Sequence, residues 1–177
     1  METPNFYFCL NDNLQELCNL NSDLKITPEL FLPTRGRPKD TGFDVRCAVY
    51  PGVTLTPGGY FKIPLGFKMF APDGWGLDLR ARSGTFVNLN IVSHLGTIDQ
   101  TFESEMLFAG RYDPDARKLL GAAEPKIISF GERIAQLIPV KVQNMTRTIC
   151  STEEYKKLCE KRNDERGEGG FGSSGRF

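Results

Sequence analysis

The chain has 177 residues with 22 basic and 22 acidic side chains, so its net charge is zero. That length predicts one domain with appendages, and it supports a hydrophobic core without disulfide staples. The charge balance argues against a general nucleic-acid coat or an anionic-membrane binder, and the single histidine, His94, excludes multi-histidine zinc sites within one chain.

The N-terminus shows no basic region followed by an apolar run, so no signal peptide is visible. No stretch is long and apolar enough to predict a membrane span, and a cytoplasmic location is expected, that of a host cell if the chain is viral. Cys9, Cys18, Cys47, Cys150 and Cys159 form no C-x-x-C pair, which fits scattered reduced thiols.

Taken in chain order, Asn13-x-x-Glu16 has capping-box spacing, and Leu10, Leu14, Leu17 and Cys18 share one helical face. A short helix is predicted over residues 12–19. Pro28, Pro33 and Pro38 then interrupt regular structure, with Arg35, Arg37 and Lys39 in a polar loop. Residues 1–40 therefore read as an N-terminal extension of helix and loop.

From Phe43 to Val142 the signals are strands and turns. Phe61, Ile63, Leu65, Phe67 and Met69 alternate with period two. Leu77, Leu79 and Ala81 alternate with Asp78, Arg80 and Arg82, which share a polar face. Ile134 to Val142 is almost wholly apolar, as in a strand covered on both faces. Short strands punctuated by Gly and Pro predict an all-β sandwich or barrel.

Ser151-x-x-Glu154 is a second capping box, opening a helix over 151–161 within a 151–165 linker. Residues 166–177 hold five glycines and no aliphatic side chain, the composition of an arm that cannot form its own core.

Four segments carry candidate chemistry. Arg82-Ser83-Gly84 offers a cation, a hydroxyl and a permissive backbone to an oxyanion, although a surface turn explains the same residues. Gly96-Thr97-Ile98-Asp99 places a carboxylate beside an apolar hairpin, as a general base or a turn acceptor. Gly131-Glu-Arg-Ile-Ala-Gln136 puts a polar amide into the most apolar strand, where structural satisfaction is the default. The arm, Arg166-Gly-Glu-Gly-Gly-Phe171-Gly172-Ser173-Ser174-Gly, has a phosphate-grasping composition without the P-loop pattern, and its Phe is suited to close over a planar base. Thr41-Gly-Phe-Asp44-Val precedes them all.

In this order the five segments resemble the motifs of the trimeric dUTP pyrophosphatase (dUTPase) family, over residues 40–177. The resemblance implies a jelly-roll, β-barrel-like core over 41–150, a homotrimer with active sites at subunit junctions, and hydrolysis of dUTP to dUMP and diphosphate with Mg2+, which clears dUTP and supplies dUMP for dTTP synthesis. It implies that Asp99 deprotonates the attacking water; an ordinary carboxylate is already ionised at neutral pH. Backbone groups of Gly96, Thr97 and Ile98 would read the uracil edge. Arg82, Ser83, Gly84 and Gln136 would hold the phosphates, and Asp44 would support the metal's water shell. The arm would close over a neighbouring subunit's site, Phe171 stacking on uracil beside Gly172 while Arg166, Ser173 and Ser174 grip the terminal phosphates. Neither nucleic acid nor membrane is an implied partner.

The third motif departs from the family. After Asp99 the family has x-Asp-Tyr-x-Gly, whereas this chain has Gln100-Thr101-Phe102-Glu103-Ser104. Phe102 keeps a ring under the deoxyribose without the hydroxyl, and steric exclusion of a 2′-hydroxyl is expected to survive. His94 reads as a surface histidine. The stretch Met106–Phe130 reads as a longer connection decorating the surface, as does the helix at 151–161. Two other readings compete with hydrolysis: a regulatory or partner-binding protein on the same scaffold, and a dCTP deaminase. The latter needs a carboxylate on the strand after Asp99, and Leu107–Arg111 has none.

Overall fold

The structure is a computed structural model, and it describes residues 3–20, 25–114 and 124–162. The described residues fall into two compact units, one within 1–143 and one within 144–162.

The first unit is built from antiparallel strands. The largest sheet has the order β2 (Phe43–Arg46), β11 (Arg133–Lys141), β6 (Trp75–Ala81), β8 (Gly96–Ile98). A second joins β4 (Tyr60–Pro64), β9 (Leu107–Tyr112) and β7 (Ile91–Ser93). Two pairs complete it: β1 (Tyr7–Leu10) with β5 (Phe67–Phe70), and β3 (Gly52–Leu55) with β10 (Lys126–Ser129). The all-β expectation holds, with neighbours in the sheets that are distant in sequence. Val45, Ile63, Phe67, Leu79, Ile91, Phe108, Ile128 and Ile134 are buried together between the sheets. Each such side chain contributes about 1.5–3 kcal/mol of hydrophobic stabilisation.

The period-two run Phe61–Met69 keeps its inward face, since Ile63, Leu65, Phe67 and Met69 are all buried. It is nevertheless two strands in two sheets. Gly66 stands between them at φ +83°, a conformation that turns the chain and that side chains with a Cβ resist.

Residues 3–40 contain more than helix and loop, because β1 pairs with β5 along Tyr7↔Phe70 to Leu10↔Phe67. Helix α1 spans Leu14–Asn19 and buries Leu14 and Cys18, the predicted face. Its predicted capping box does not form: Asn13 sits at φ −80°, ψ −5°, already helical, and makes no side-chain cap bond. A capping side chain needs an extended residue to reach back to the first turn. Leu14, Cys18, Phe31 and Phe130 form a second, smaller core.

The Met106–Phe130 stretch corrects the reading of surface decoration. It supplies β9 and β10, and Met106, Phe108, Tyr112, Ile128 and Phe130 are buried. Only the segment joining these strands remains a connection, and residues 115–123 within it lie outside the described ones.

The apolar strand is also less covered than predicted. Ile134, Ala135 and Leu137 of β11 are buried, but Ile138, Pro139 and Val140 are half-buried.

Helix α2 (Ser83–Leu89) was not foreseen. Its sequence holds a glycine and two β-branched residues, and Phe86 and Val87 are exposed, so neither propensity nor apolar period announces it. It ends at Asn90 in the left-handed region, φ 51°.

In the second unit, helix α3 spans Thr152–Arg162. Its capping box does form: Ser151 N–H donates to Glu154 Oε2 at 2.7 Å and Glu154 N–H donates to Ser151 Oγ at 3.2 Å. Among the described residues no helix is long and apolar enough to cross a membrane.

Candidate active site

Strands β2 and β11, the start of α2 and the loop before β2 enclose a polar cleft of about 560 Å3. Its lining includes Arg37, Asp44, Arg82, Ser83, Arg133 and Gln136. Asp44 is the hub. Its Oδ1 lies 2.8 Å from Arg82 Nε, and its Oδ2 lies 3.3 Å from Arg133 Nη1. The Asp44 side chain is 13 % exposed and Arg82 is 33 % exposed, so this pair is shielded enough to hold a defined geometry. Arg82 also donates to the carbonyl of Arg133 at 3.3 Å.

A β-bulge explains how Arg133 arrives there. Side chains alternate along a strand, so Arg133 and Gln136 belong on opposite faces of β11. The register slips between Arg133 and Ala135: Arg133 pairs with Arg46, Ala135 with Val45 and Gln136 with Asp44. Arg46 and Asp44 share a face of β2, so the extra residue brings Arg133 and Gln136 to the same side. The bulge leaves the Ile134 carbonyl without a place in the ladder. The buried Thr85 of α2 takes it, Oγ1 donating at 2.7 Å. That bond fixes α2, and with it Arg82 and Ser83, against β11.

Gln136 donates from Nε2 to the Ala81 carbonyl at 3.1 Å. Gly42 gives its amide room, since a Cβ there would stand 2.0 Å from Gln136 Oε1. At Gly84 a Cβ would meet only Asn88, at an ordinary 3.5 Å. The protein's own packing therefore does not require glycine there, whereas a ligand approaching the backbone would. Next to the cleft, on the same face of β2 as Asp44, Arg46 donates to the carbonyls of Leu30 at 3.0 Å and Gly131 at 2.7 Å. Burial, with the positive field of Arg133, lowers its pKa, and Asp44 counters this.

The third motif lies elsewhere. Gly96, Thr97 and Ile98 form β8, pairing with Leu79, Asp78 and Leu77 of β6. Thr97 Oγ1 donates to Asp78 Oδ1 at 3.4 Å. β8 comes so close that a Cβ on Gly76 would lie 2.8 Å from the Ile98 carbonyl oxygen. Asp99 follows in an exposed turn, closed by Phe102 N–H donating to the Asp99 carbonyl at 3.1 Å. Gln100 Oε1 accepts from Gly74 N–H at 3.0 Å and ties this turn down. Phe102 is 37 % exposed, and His94 is exposed.

Arg82, Ser83, Gln136 and Asp44 thus share one cleft, with Gly84 beside it in α2. Gly96, Thr97 and Ile98 lie along the middle of β6, opposite Leu79, Asp78 and Leu77, and Asp99 and Phe102 follow toward the start of that strand. From Gly76, next to the Ile98 carbonyl, to Arg82 the chain rises about 20 Å at roughly 3.3 Å per residue. Arg166, Phe171, Gly172, Ser173 and Ser174 lie outside the described residues. Sequence reasoning passed over Arg133, Arg37 and Gly42. Arg133 stands inside the quoted fourth motif, but strict alternation would place it on the face opposite Gln136.

The chain is thus an antiparallel β-sheet protein with a guanidinium-lined polar cleft suited to an anion, and with the Asp99 carboxylate on a separate turn. Comparison with known proteins identifies its family. No family model matches the chain. It is 34 % identical over 155 residues to the deoxyuridine 5′-triphosphate nucleotidohydrolase of Mycobacterium sp. (strain JLS), covering 86 % of this chain and 92 % of that protein. It is 30 % identical over 149 residues to the enzyme of the same name from Anaplasma marginale, covering 82 % and 90 %. Among solved structures, a dUTPase variant of Staphylococcus bacteriophage 80alpha with dUpNHpp superposes with a TM-score of 0.65 at 23 % identity, over 98 % of this chain and 99 % of that one. A mutant dUTPase from phage phi11 of S. aureus, described with a structural Mg(II) ion, gives 0.64 at 17 % identity over 84 % and 99 %. The chain belongs to the dUTPase family.

Proposed function

We infer that this chain hydrolyses dUTP to dUMP and diphosphate, clearing dUTP from the nucleotide pool. The observation that carries it is the sequence relationship to deoxyuridine 5′-triphosphate nucleotidohydrolases over more than four-fifths of both chains. The site supports it physically, since guanidinium groups, a hydroxyl and a side-chain amide converge on one cleft suited to a polyphosphate.

In this reading Asp99 orients and deprotonates a water, whose oxygen attacks the α-phosphorus. The bond from that phosphorus to the bridging oxygen breaks, and diphosphate leaves with the electron pair. Arg82, Ser83, the Gly84 backbone and Gln136 hold the phosphates, while Asp44 keeps Arg82 and Arg133 oriented. The backbone of Gly96, Thr97 and Ile98 reads the uracil edge, and the ring of Phe102 excludes a 2′-hydroxyl. A UTP turnover close to that of dUTP would argue against that role for Phe102.

Among the described residues no group of three or more His, Cys, Asp or Glu side chains could hold a metal ion. That fits Mg2+ held through the substrate's phosphate oxygens and water, with Asp44 near its water shell, and bound in that way it would neutralise phosphate charge.

The roughly 20 Å of β6 that runs from Gly76, next to the Ile98 carbonyl, to Arg82 supports a site assembled from more than one copy, as in the expected homotrimer. The segment Arg166–Phe177 completes the reading as an arm closing over a neighbour's site, Phe171 on the base and Arg166, Ser173 and Ser174 on the phosphates.

Purified protein with dUTP and Mg2+ should release diphosphate, and Asp99→Asn should stop turnover while nucleotide binding persists. Co-expressing Asp99→Asn with Arg82→Ala chains should restore roughly a quarter of wild-type activity by random assortment of subunits. Wild type that binds dUTP without hydrolysing it would return the binding-protein reading. Mixed assemblies as inactive as either parent would refute a shared site.

A further inference from the structure

The loop before β2 places a third cation at the phosphate cleft. It is fastened at both ends. Thr34 and Asp44 exchange backbone hydrogen bonds at 3.1 and 2.7 Å, and the Arg35 guanidinium stacks 4.4 Å from the centre of the Phe43 ring. At the tip Asp40 N–H donates to the Arg37 carbonyl at 3.0 Å, while Arg37 N–H donates to Asp40 Oδ2 at 2.8 Å. The loop is therefore preorganised, with Arg37 on the cleft wall beside Arg82, Ser83 and Gln136.

The three arginines of the cleft are not equivalent. Arg82 and Arg133 both pair with Asp44. No carboxylate or carbonyl among the described residues engages the Arg37 guanidinium, and its exposed side chain contributes nothing to the core. A planar donor fork held at a polyanion cleft without a protein partner is available to the ligand.

We propose that Arg37 is a further substrate-binding residue, donating to the phosphate chain of the nucleotide and taking no part in base recognition. This rests on the dUTPase reading. With the full-length chain, Arg37→Gln should raise KM for dUTP about tenfold, the order that one charge-assisted hydrogen bond supplies, and leave kcat within about twofold. Inhibition by deoxyuridine, which lacks phosphate, should not change, and neither should the melting temperature. Arg37→Lys should recover part of the loss, because it keeps the charge and loses the fork. Unchanged KM in Arg37→Gln would overturn the proposal, and so would an equal loss of deoxyuridine affinity. If wild type hydrolyses no dUTP, the dUTPase reading fails instead. Calorimetric binding of inorganic diphosphate then still decides Arg37: weaker binding by Arg37→Gln supports the anion contact, and equal binding sinks it.

Discussion

Gly42 and Gln136 face each other so closely that the missing side chain of one makes room for the amide of the other. A Cβ on Gly42 would stand 2.0 Å from Gln136 Oε1. Gly42→Ala must therefore rotate Gln136 away or push β2 from β11, which are paired at Asp44↔Gln136. Either movement disturbs the amide and the carboxylate hub together. The expected result is a drop in kcat/KM for dUTP of about tenfold or more, with a stability loss of about 1–3 kcal/mol, the range for overpacking. Steady-state kinetics and urea denaturation of the variant check both.

Thr85 links the bulge to the site. Its hydroxyl donates to the Ile134 carbonyl at 2.7 Å in a buried setting. Thr85→Val keeps the shape and leaves that carbonyl without its donor, which costs about 1–3 kcal/mol. Since the same bond fixes α2, KM for dUTP should rise along with the loss of stability. A variant that loses stability with unchanged KM would show that Arg82 and Ser83 are positioned without this bond.

The thiols separate by environment. Cys9, Cys150 and Cys159 are exposed, and Cys18 and Cys47 are buried. Burial pushes the Cys47 thiol from the ordinary 9.0 up to about 11. A raised folded-state pKa contributes stability that is fully present below the ordinary thiol value. It is lost as pH rises through about 11. Native protein at pH 8 should react at the three exposed thiols and spare the other two until denaturant is added. Melting temperature should fall as pH rises above the ordinary thiol range.

Helix α3 carries an acid-sensitive cap. The bond from Ser151 N–H, with that from the Ser151 side chain, holds the Glu154 pKa below its ordinary value. A lowered folded-state pKa gives stability that is present above the ordinary carboxylate value and lost as pH falls through the lowered one. Far-ultraviolet circular dichroism should show helix content falling below about pH 4. Glu154→Gln, which keeps a side-chain acceptor without the titration, should flatten that part of the profile.

Local chemistry was legible in the sequence. The Ser151–Glu154 cap, the Leu14–Cys18 helical face, the alternation through β4, β5 and β6, and the polar residues of the motifs all depend on neighbours a few positions apart, which the sequence displays directly. What only the tertiary structure decided depends on pairing between distant segments. The bulge in β11 puts Arg133 beside Gln136 against strict alternation, and pairing with β2 creates it. Helix α2 has little intrinsic support, and Thr85 holds it to β11. Gly66 divides one period-two run between two sheets. The antiparallel register of β8 on β6 carries Asp99 away from Arg82, because each step along β8 moves its chain toward the opposite end of β6. The candidate site residues could be named from the chain one by one. Which of them share a cleft within a single subunit was fixed by strand register, which periodicity alone does not encode.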